Sequence, residues 1–288
     1  MESNDQRERL AKRKLLPIFT AKVLQELLVF GNSDRVDAAR HALESIGLIE
    51  HEAPIRSVFD HAYSVLLKAY PAEYILLNEC LCAQVSGEDP VAVYREQAIA
   101  GSKADLSVFW PDGHSRGFEI KSRFDRLDRL QAQLQTYQQV FSHTYVVTDH
   151  SYVSRVLEDS PGSVGVFSVS AEGLQEIRPA TERPDLICID RLFALLRKSE
   201  YMELIRQEFG VAPRLPNTQI YQACLAQFRG VGSAKAQDMV TETLRRRQSR
   251  LLPAEDRAWR LPRSLRALAL TGDLDQSELL RLSSVLDR

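Results

Sequence analysis

The first 85 residues carry apolar side chains at intervals of three and four positions, the spacing of one face of an α-helix. Asn32 or Ser33 suits the N-cap of the second helix, and Gly47 suits its end. Pro71 suits the first turn of the fourth predicted helix. The pattern therefore predicts four helices, over residues 19–30, 33–48, 57–69 and 71–85.

After Gly87 the apolar period becomes two, and β-branched and aromatic residues become frequent. Short segments of this kind, separated by turn sequences such as PDGH and SPGS, are typical of β-strands. They predict five strands, within residues 91–100, 104–110, 117–122, 143–149 and 163–170.

One helical segment, RLDRLQAQLQTYQQVF at 126–141, interrupts the predicted strands, and the chain is helical again after about residue 180. Helices and strands in this order predict an α/β protein. We expect an N-terminal helical region at 1–60, an α/β core at 61–178 and a C-terminal helical region at 179–288.

Composition narrows the classes of protein that the chain can belong to. Hydrophobic residues make up 44% and charged residues 26%, and the net charge is −2, so any binding to nucleic acid needs a local basic patch. No apolar run approaches the roughly 18 residues of a membrane helix. The charged N-terminus lacks a signal-type apolar segment, which predicts a cytoplasmic protein without a membrane partner. Four cysteines are too few and too scattered for a disulfide scaffold.

The segment GFEIKS places two opposite charges on one face of a predicted strand. Glu119 and Lys121 alternate with Phe118 and Ile120, so the charged and apolar pairs face opposite ways. Asp105 stands in the preceding strand, and the turn between them folds the two strands together. The three charged side chains are expected on one surface, although a solvated strand face with a weak ion pair gives the same pattern.

Asp105, Glu119 and Lys121 together suit the hydrolysis of phosphodiester bonds. Two carboxylates on adjacent strands, with main-chain carbonyls nearby, offer the hard oxygen ligands that Mg²⁺ prefers. Residues two apart on a strand stand about 6.5 Å from each other, so the lysine can reach a water or phosphate at the metal. Because lysine is normally protonated at neutral pH, Lys121 is expected to position and stabilise rather than to act as a base.

These residues resemble the motifs of the PD-(D/E)XK nuclease superfamily. Asp105 and Glu119-Ile120-Lys121 are followed by a helix with Gln133 and Tyr137, as in the RecB-like branch with an added Q-x-x-x-Y motif. Over about residues 60–150 the chain is also similar to a group of largely uncharacterised bacterial proteins with this core. Alanine precedes Asp105, where the superfamily nominally has proline.

The resemblance implies a restriction-endonuclease-like core of helix, three strands, helix and strand in a mixed sheet, with helical N- and C-terminal extensions. It also implies a metal site for Mg²⁺ or Mn²⁺ at Asp105 and Glu119, assisted by the Ile120 carbonyl and by Glu73. An acid such as Glu73 in the first turn of a helix is equally a partner of the helix dipole.

The resemblance further implies that Gln133 and Tyr137 support the site and contact the substrate. They lie four residues apart on one side of the predicted helix, where Tyr137 also continues the apolar stripe and would serve as a core tyrosine. Arg123 and Arg126 flank the pair and are candidates to meet phosphates. A solvated helix face explains these two arginines almost as well.

Two further segments carry weaker signals. FRGVGSAKAQDMV, at 228–240, is similar to a helix-hairpin-helix DNA-binding turn, but a glycine-containing break between two helices is the favoured interpretation. Residues 241–266 hold eight arginines against three acids, which indicates either a phosphate-contacting strip or a solvated helix. Motifs of serine hydrolases, P-loop ATPases and dinucleotide enzymes are absent from the sequence.

The sequence therefore predicts a metal-dependent nuclease that hydrolyses phosphodiester bonds, with DNA as the expected substrate. The alternative is a nuclease fold without turnover, acting as a nucleic-acid-binding or assembly module in defence against phage or in repair. RNA is a weaker candidate substrate. A homodimer or a partner protein is compatible with either function, since two sites cut two strands most simply.

Overall fold

Helices form the N-terminal part of the chain, as the apolar spacing predicts. The computed structural model describes residues 8–85, 92–248, 261–272 and 274–288. A π-helical turn at Ala11–Leu15 and a 3-10 turn at Leu16–Ile18 come first. Four α-helices follow: α1 at Ala21–Phe30, α2 at Asp34–Ser45, α3 at Ile55–Ala69 and α4 at Glu73–Gln84.

Local capping explains most of these helix boundaries. The Thr20 hydroxyl accepts a hydrogen bond from Val23 N–H at the start of α1, which ends at Gly31 in the left-handed conformation. Ser33 is the N-cap of α2, but its hydroxyl donates to Glu26 instead of capping the helix. The expected place of Pro71 in the first turn of α4 is wrong: Ala72 is the N-cap, so Pro71 precedes the helix.

The centre of the chain forms one sheet of six strands in sequential order. β1, β2 and β3 form an antiparallel meander, β3, β4 and β5 run parallel, and β6 returns antiparallel. The α/β class with a mixed sheet is therefore confirmed. The strands are β1 at Ala92–Ile99, β2 at Ser102–Phe109, β3 at Ser115–Lys121, β4 at His143–Asp149, β5 at Gly165–Ser170 and β6 at Gly173–Arg178.

Two helices make the parallel crossovers: α5 at Leu130–Tyr137 joins β3 to β4, and α6 at Val153–Asp159 joins β4 to β5. The helix predicted over 126–141 is shorter at both ends, where turns closed by Leu130 N–H on the Leu127 carbonyl and by Val140 N–H on the Tyr137 carbonyl replace it. A further ordered turn precedes it, in which Ser122 N–H donates to Asp125. Helix α6 and strand β6 were not predicted from the sequence.

The C-terminal part is helical, as expected. It contains α7 at Ile189–Ala194, α8 at Lys198–Phe209, α9 at Asn217–Phe228, α10 at Ser233–Gln248, α11 at Arg266–Thr271 and α12 at Gln276–Leu286. Helices α7 to α10 share an apolar cluster with β1, β2 and the end of α5, whereas α12 packs with the N-terminal helices. None of the helices in the described part of the chain is long and apolar enough to cross a membrane.

Both faces of the sheet are covered, which decides the environment of β3. Phe118 and Ile120 pack with α4 on one face, whereas α5 packs with Val146 on the other. Phe141, beyond the end of α5, lies so close to Gly117 that a Cβ there would come within 2.1 Å of its ring. The face of β3 that carries Glu119 is therefore enclosed between the sheet and α5.

A buried polar network attaches the C-terminal segment to α4. Asn78 accepts a hydrogen bond from Ala267 N–H at 2.8 Å and donates to the Tyr63 hydroxyl and the Arg263 carbonyl. Glu79 pairs with the Arg263 guanidinium at 2.8 Å and accepts a bond from Tyr63. Because Asn78 and Glu79 are buried, these bonds fix the position of α11 against the helix that begins with Glu73.

Candidate functional site

Asp105 and Glu119 come together where β2 and β3 separate. The ladder between these strands runs from Phe109 and Ser115 to Leu106 and Phe118. At the next position the Asp105 carboxylate takes the place of a backbone acceptor, and Ile120 N–H donates to its Oδ2 at 2.7 Å. The carboxylate is thereby held beside the strand that carries Glu119.

Glu119 is enclosed by two polar partners and is only 1% exposed. Lys121 Nζ lies 2.5 Å from its Oε1, and the Tyr137 hydroxyl lies 2.6 Å from its Oε2. The same hydroxyl also contacts the Lys103 carbonyl, and its single proton serves one of the two acceptors at a time. Burial and the charge of Glu119 raise the pKa of Tyr137 well above its usual value, so the hydroxyl stays protonated.

The pKa of Asp105 is raised because its carboxyl group is buried and lies near a second carboxylate. Burial is the largest cause and the charge of Glu119 the next, and together they raise its pKa to about 7, against the lowering effects of the Ile120 N–H and Lys121. Glu73, the exposed first residue of α4, raises the same pKa further. The negative charges of Asp105, Glu119 and Glu73 therefore concentrate in one region, and this concentration favours the binding of a cation.

The backbone that carries Lys121 is fixed by side chains that sequence reasoning missed. The Thr148 hydroxyl donates to the Lys121 carbonyl at 2.6 Å. Asp149, buried at the end of β4, accepts the Arg123 N–H at 2.9 Å. The S-x-x-D spacing of Ser122 and its bonding partner is a local turn signal. The part played by β4 has no local signal, because it depends on the parallel pairing of β3 with β4.

The remaining predicted site residues differ in how far they are engaged. Gln133 lies one turn before Tyr137 and is half-buried, and its side chain makes no hydrogen bond within the described part of the chain. Arg123 donates to the Ala69 carbonyl at 3.0 Å, which joins the loop after β3 to the end of α3. Arg126 is exposed and paired with Asp128 at 2.6 Å, with no contact to the carboxylates among the described residues.

The donor set suits a hard divalent cation only if backbone or water oxygens contribute. In the segments that the structure describes, no group of three or more His, Cys, Asp or Glu side chains is placed to hold a metal ion. Asp105 and Glu119 supply two adjacent carboxylates, and Ile120, whose N–H binds Asp105, has its carbonyl in the same strand segment. Lys121 contacts one oxygen of Glu119, so a cation at that oxygen has to displace the ammonium group.

Where the structure describes them, the two segments with weaker signals make packing and ion-pair contacts within the protein. Helix α9 ends at Phe228 and α10 begins at Ser233, with Gly232 in the left-handed conformation and Ala236 buried between helices. This arrangement is what a simple break between two packed helices requires. In the arginine-rich segment, Arg247 is held by Glu200, and residues 249–260 lie outside the described residues.

Comparisons with known proteins give one family and one structural neighbour of unknown function. No curated protein matches the chain. Among solved structures, a protein of unknown function from Silicibacter pomeroyi is 18% identical, with a TM-score of 0.34; the match covers 48% of this chain and 92% of that chain.

A family model described as bacteriophage P4 protein cII matches residues 72–266. The matched region begins at the start of α4, includes the whole sheet and ends at the start of α11. Glu73, Asp105, Glu119 and Lys121 all lie within it. Because this match extends over more than half of its length, the chain belongs to the bacteriophage P4 protein cII family.

Proposed function

We propose that this protein is a metal-dependent nuclease that hydrolyses phosphodiester bonds in DNA. The observation that carries the proposal is the enclosed cluster of Asp105, Glu119 and Lys121. A surface ion pair does not need a buried carboxyl group beside a second carboxylate, the arrangement in which burial, and then the charge of Glu119, raise the pKa of Asp105 to about 7. Strongly perturbed groups of this kind concentrate at functional sites.

The arrangement of the core supports the proposal. A helix, three antiparallel strands, a helix and a parallel fourth strand follow one another, from α4 to β4. This order and these strand directions are compatible with the restriction-endonuclease-like core that the resemblance to PD-(D/E)XK nucleases implies. The carboxylates of Asp105 and Glu119 lie on the second and third strands of that core, with Glu73 at the start of the helix before it.

Each residue has a distinct part in the proposed reaction. Mg²⁺ or Mn²⁺ held by Asp105 and Glu119, with the Ile120 carbonyl and Glu73 assisting, supplies charge neutralisation at the phosphate and a more acidic water. Lys121 orients that water or stabilises the charge that develops on the phosphate. Tyr137 keeps one oxygen of Glu119 in place through its hydroxyl.

In the proposed reaction, side chains at the edge of this cluster contact the substrate. Gln133 is half-buried one turn before Tyr137, its side chain has no hydrogen bond to the residues that the structure describes, and it braces the substrate. Arg126 is exposed and exchanges its weak pair with Asp128 for a phosphate. Arg123 contributes through the loop that it holds, because its guanidinium already binds the Ala69 carbonyl.

The test is cleavage of single-stranded, duplex and branched DNA and of RNA, with Mg²⁺, Mn²⁺ or EDTA. The wild-type protein is compared with Asp105→Asn, Lys121→Met and an exposed control, Glu96→Gln. We expect cleavage by the wild type and the control only, and none in EDTA. Calorimetric titration with Mn²⁺ should give heat for Lys121→Met, because lysine is not a ligand, and none for Asp105→Asn.

Two outcomes contradict this proposal in different ways. If the wild type cleaves no substrate and gives no heat with Mn²⁺, the nuclease assignment fails. Binding of DNA without cleavage would then favour the alternative, a nuclease fold that acts as a binding or assembly module. Equal cleavage by Lys121→Met and the wild type would keep the activity but remove the assigned role of Lys121.

A further inference from the structure

The N-terminal π-helical turn exposes three consecutive cations. Ala11 and Leu15 are buried in the N-terminal apolar cluster, which leaves Lys12, Arg13 and Lys14 on the outer surface. None of these three cations takes part in an ion pair in the part of the chain that the structure describes. A solvated turn needs no such run of unpaired like charges, which repel one another.

Stacked side chains connect this turn to the loop after β3. Lys12 Nζ lies 5.8 Å from the centre of the Tyr70 ring, and that ring stacks on Phe124 at 4.5 Å. The Arg123 guanidinium lies 4.9 Å from the centre of the Phe124 ring. Although it is stacked, Phe124 is 46% exposed.

The residues of the stack flank the carboxylate cluster along the chain. Tyr70 lies three residues before Glu73, and Phe124 lies three residues after Lys121. The bond from Arg123 to the Ala69 carbonyl holds the two chain segments together. The stack is therefore built from chain segments that continue directly into those that carry Glu73 and Lys121.

We propose that Lys12, Arg13, Lys14 and Phe124 form a surface that binds a single-stranded segment of nucleic acid beside the cluster. The inference rests on the proposed function, since it takes the substrate to be a polynucleotide. The three cations match the repeated charge of the phosphates. An exposed aromatic ring offers contact to an unstacked base, whereas the bases of a duplex are hidden inside the helix.

A membrane surface is the other partner that basic and aromatic side chains attract. Interfacial helices insert an apolar face into the lipid. Here the apolar residues of the turn, Ala11 and Leu15, are fully buried in the protein. The observations therefore favour a nucleic-acid strand.

The experiment measures binding of labelled single-stranded DNA by fluorescence anisotropy, with EDTA present so that no cleavage is needed. The triple variant Lys12→Ala, Arg13→Ala, Lys14→Ala is compared with a control that removes three exposed cations elsewhere: Lys198, Arg214 and Lys235. We expect about tenfold weaker binding for the first variant only. Its log–log salt slope should fall by about 2, since each lost phosphate contact on a single strand contributes about 0.7.

The aromatic contact has its own matched pair of variants. Phe124→Ala should weaken binding of single strands by about fivefold or more and leave duplex binding unchanged, because stacking needs an accessible base. Phe209→Ala is the control, since Phe209 is 45% exposed. If Phe124→Ala lowers the thermal midpoint, Phe124→Leu replaces it, as it keeps apolar volume without the aromatic face.

Several results would overturn the inference. Equal affinities of the two triple variants for single-stranded DNA would remove the cations from the interface, and equal affinities of the two phenylalanine variants would remove the stacking contact. Preferential binding of the wild-type turn to anionic vesicles would assign the surface to lipid. If the wild type cleaves DNA but the Lys12, Arg13, Lys14 triple variant binds single strands as tightly as the wild type, the binding surface is wrong and the nuclease proposal stands. If the triple variant loses binding but the wild type cleaves no substrate, the nuclease proposal is wrong and the binding surface stands.

Discussion

Asp105 is a residue whose chemistry depends on its surroundings. Burial and then the charge of Glu119 raise its pKa from 3.8 to about 7. The folded protein therefore binds a proton at Asp105 over a range of pH in which the unfolded chain does not. Stability consequently falls as the pH rises from about 4 to 7, and above 7 the full penalty of ionising the buried Asp105 carboxyl is present.

The substitution Asp105→Asn should show this penalty directly. Asparagine keeps an acceptor for Ile120 N–H but carries no charge, so the apo variant should be as stable as wild type near pH 4 and more stable at pH 8. The gain has an upper limit of about 4 kcal/mol, from the size of the pKa shift. Chemical denaturation at the two pH values measures it, and Glu96→Gln, at an exposed position, is the control.

Equal destabilisation by Asp105→Asn at both pH values would mean that the bond to Ile120 matters more than the charge. Divalent cation supplies a second check. Mn²⁺ should raise the thermal midpoint of the wild type at pH 8 and have less effect below pH 6, because protons compete for Asp105. The midpoint of the variant should not respond to Mn²⁺ at either pH.

Substitutions should show that Tyr137 is a structural residue and that Gln133 contacts the substrate. Tyr137 is fully buried, so Tyr137→Ala should cost about 3 to 5 kcal/mol of stability. Tyr137→Phe removes only the hydroxyl beside Glu119 and should cost about 1 kcal/mol. Gln133→Ala should leave the thermal midpoint nearly unchanged but lower cleavage; full activity on every cleavable substrate would show that the Q-x-x-x-Y interpretation is wrong.

At the scale of the element, the described arginines of α10 divide by their contacts. Arg247 is largely buried, and its Nε lies 2.7 Å from Glu200 Oε1 while its guanidinium also donates to the Leu195 carbonyl. Although burial acts to raise the pKa of Glu200, the bonds from Arg247 leave it lowered. Arg246 is largely exposed and shares Glu242 with Arg245. Of these three arginines, Arg246 has the most exposed side chain.

Substitutions of Arg247 and Arg246 in α10 should therefore have different effects on stability. Arg247→Ala should cost about 3 kcal/mol, because it removes the charged partner of the largely buried Glu200 and leaves it the bond from the Arg197 N–H. Arg246→Ala should cost at most about 1 kcal/mol. Thermal denaturation compares the two. If Arg246→Ala also leaves the salt dependence of DNA binding unchanged, the helix is a solvated face and not a phosphate strip.

The sequence predicts the elements whose signals are local. The four N-terminal helices and the first five strands have clear apolar periods, and the α/β class follows from their order. Strand β6, GLQEIR, was missed because it is a mostly exposed edge strand without apolar alternation. Helix α6 is only 7 residues long, too short for a visible period.

The same limit applies to the candidate site. Asp105, Glu119 and Lys121 could be chosen from strand alternation and from the resemblance, and the structure brings them together. The bond from Tyr137 to Glu119 and the support that Thr148 gives Lys121 could not be predicted, since they depend on how α5 and β4 pack on β3. Arg123 looks available in the sequence and is engaged in the structure for the same reason.

At the scale of the whole molecule, the network around Asn78 joins distant parts of the chain. Asn78→Ala should cost about 3 kcal/mol, because the Ala267 N–H and the Tyr63 hydroxyl both lose a buried partner. Limited proteolysis should then release the C-terminal segment more readily than in the wild type. Asn217→Ala, at an exposed position, is the control, and an equal effect of the two variants would contradict the role given to the network.

The packing of α12 against the N-terminal helices has a consequence for biosynthesis. Arg281 donates to the Leu28 carbonyl, and Arg56 pairs with Asp287, so α1 and α3 contact α12 and the residue that follows it. While the chain is still on the ribosome, residues such as Leu24 and Leu27 lack part of their apolar cover. The nascent N-terminal region should therefore be a substrate for chaperones until α12 emerges, and a ribosome stalled just before α12 should present this region in a protease-sensitive state.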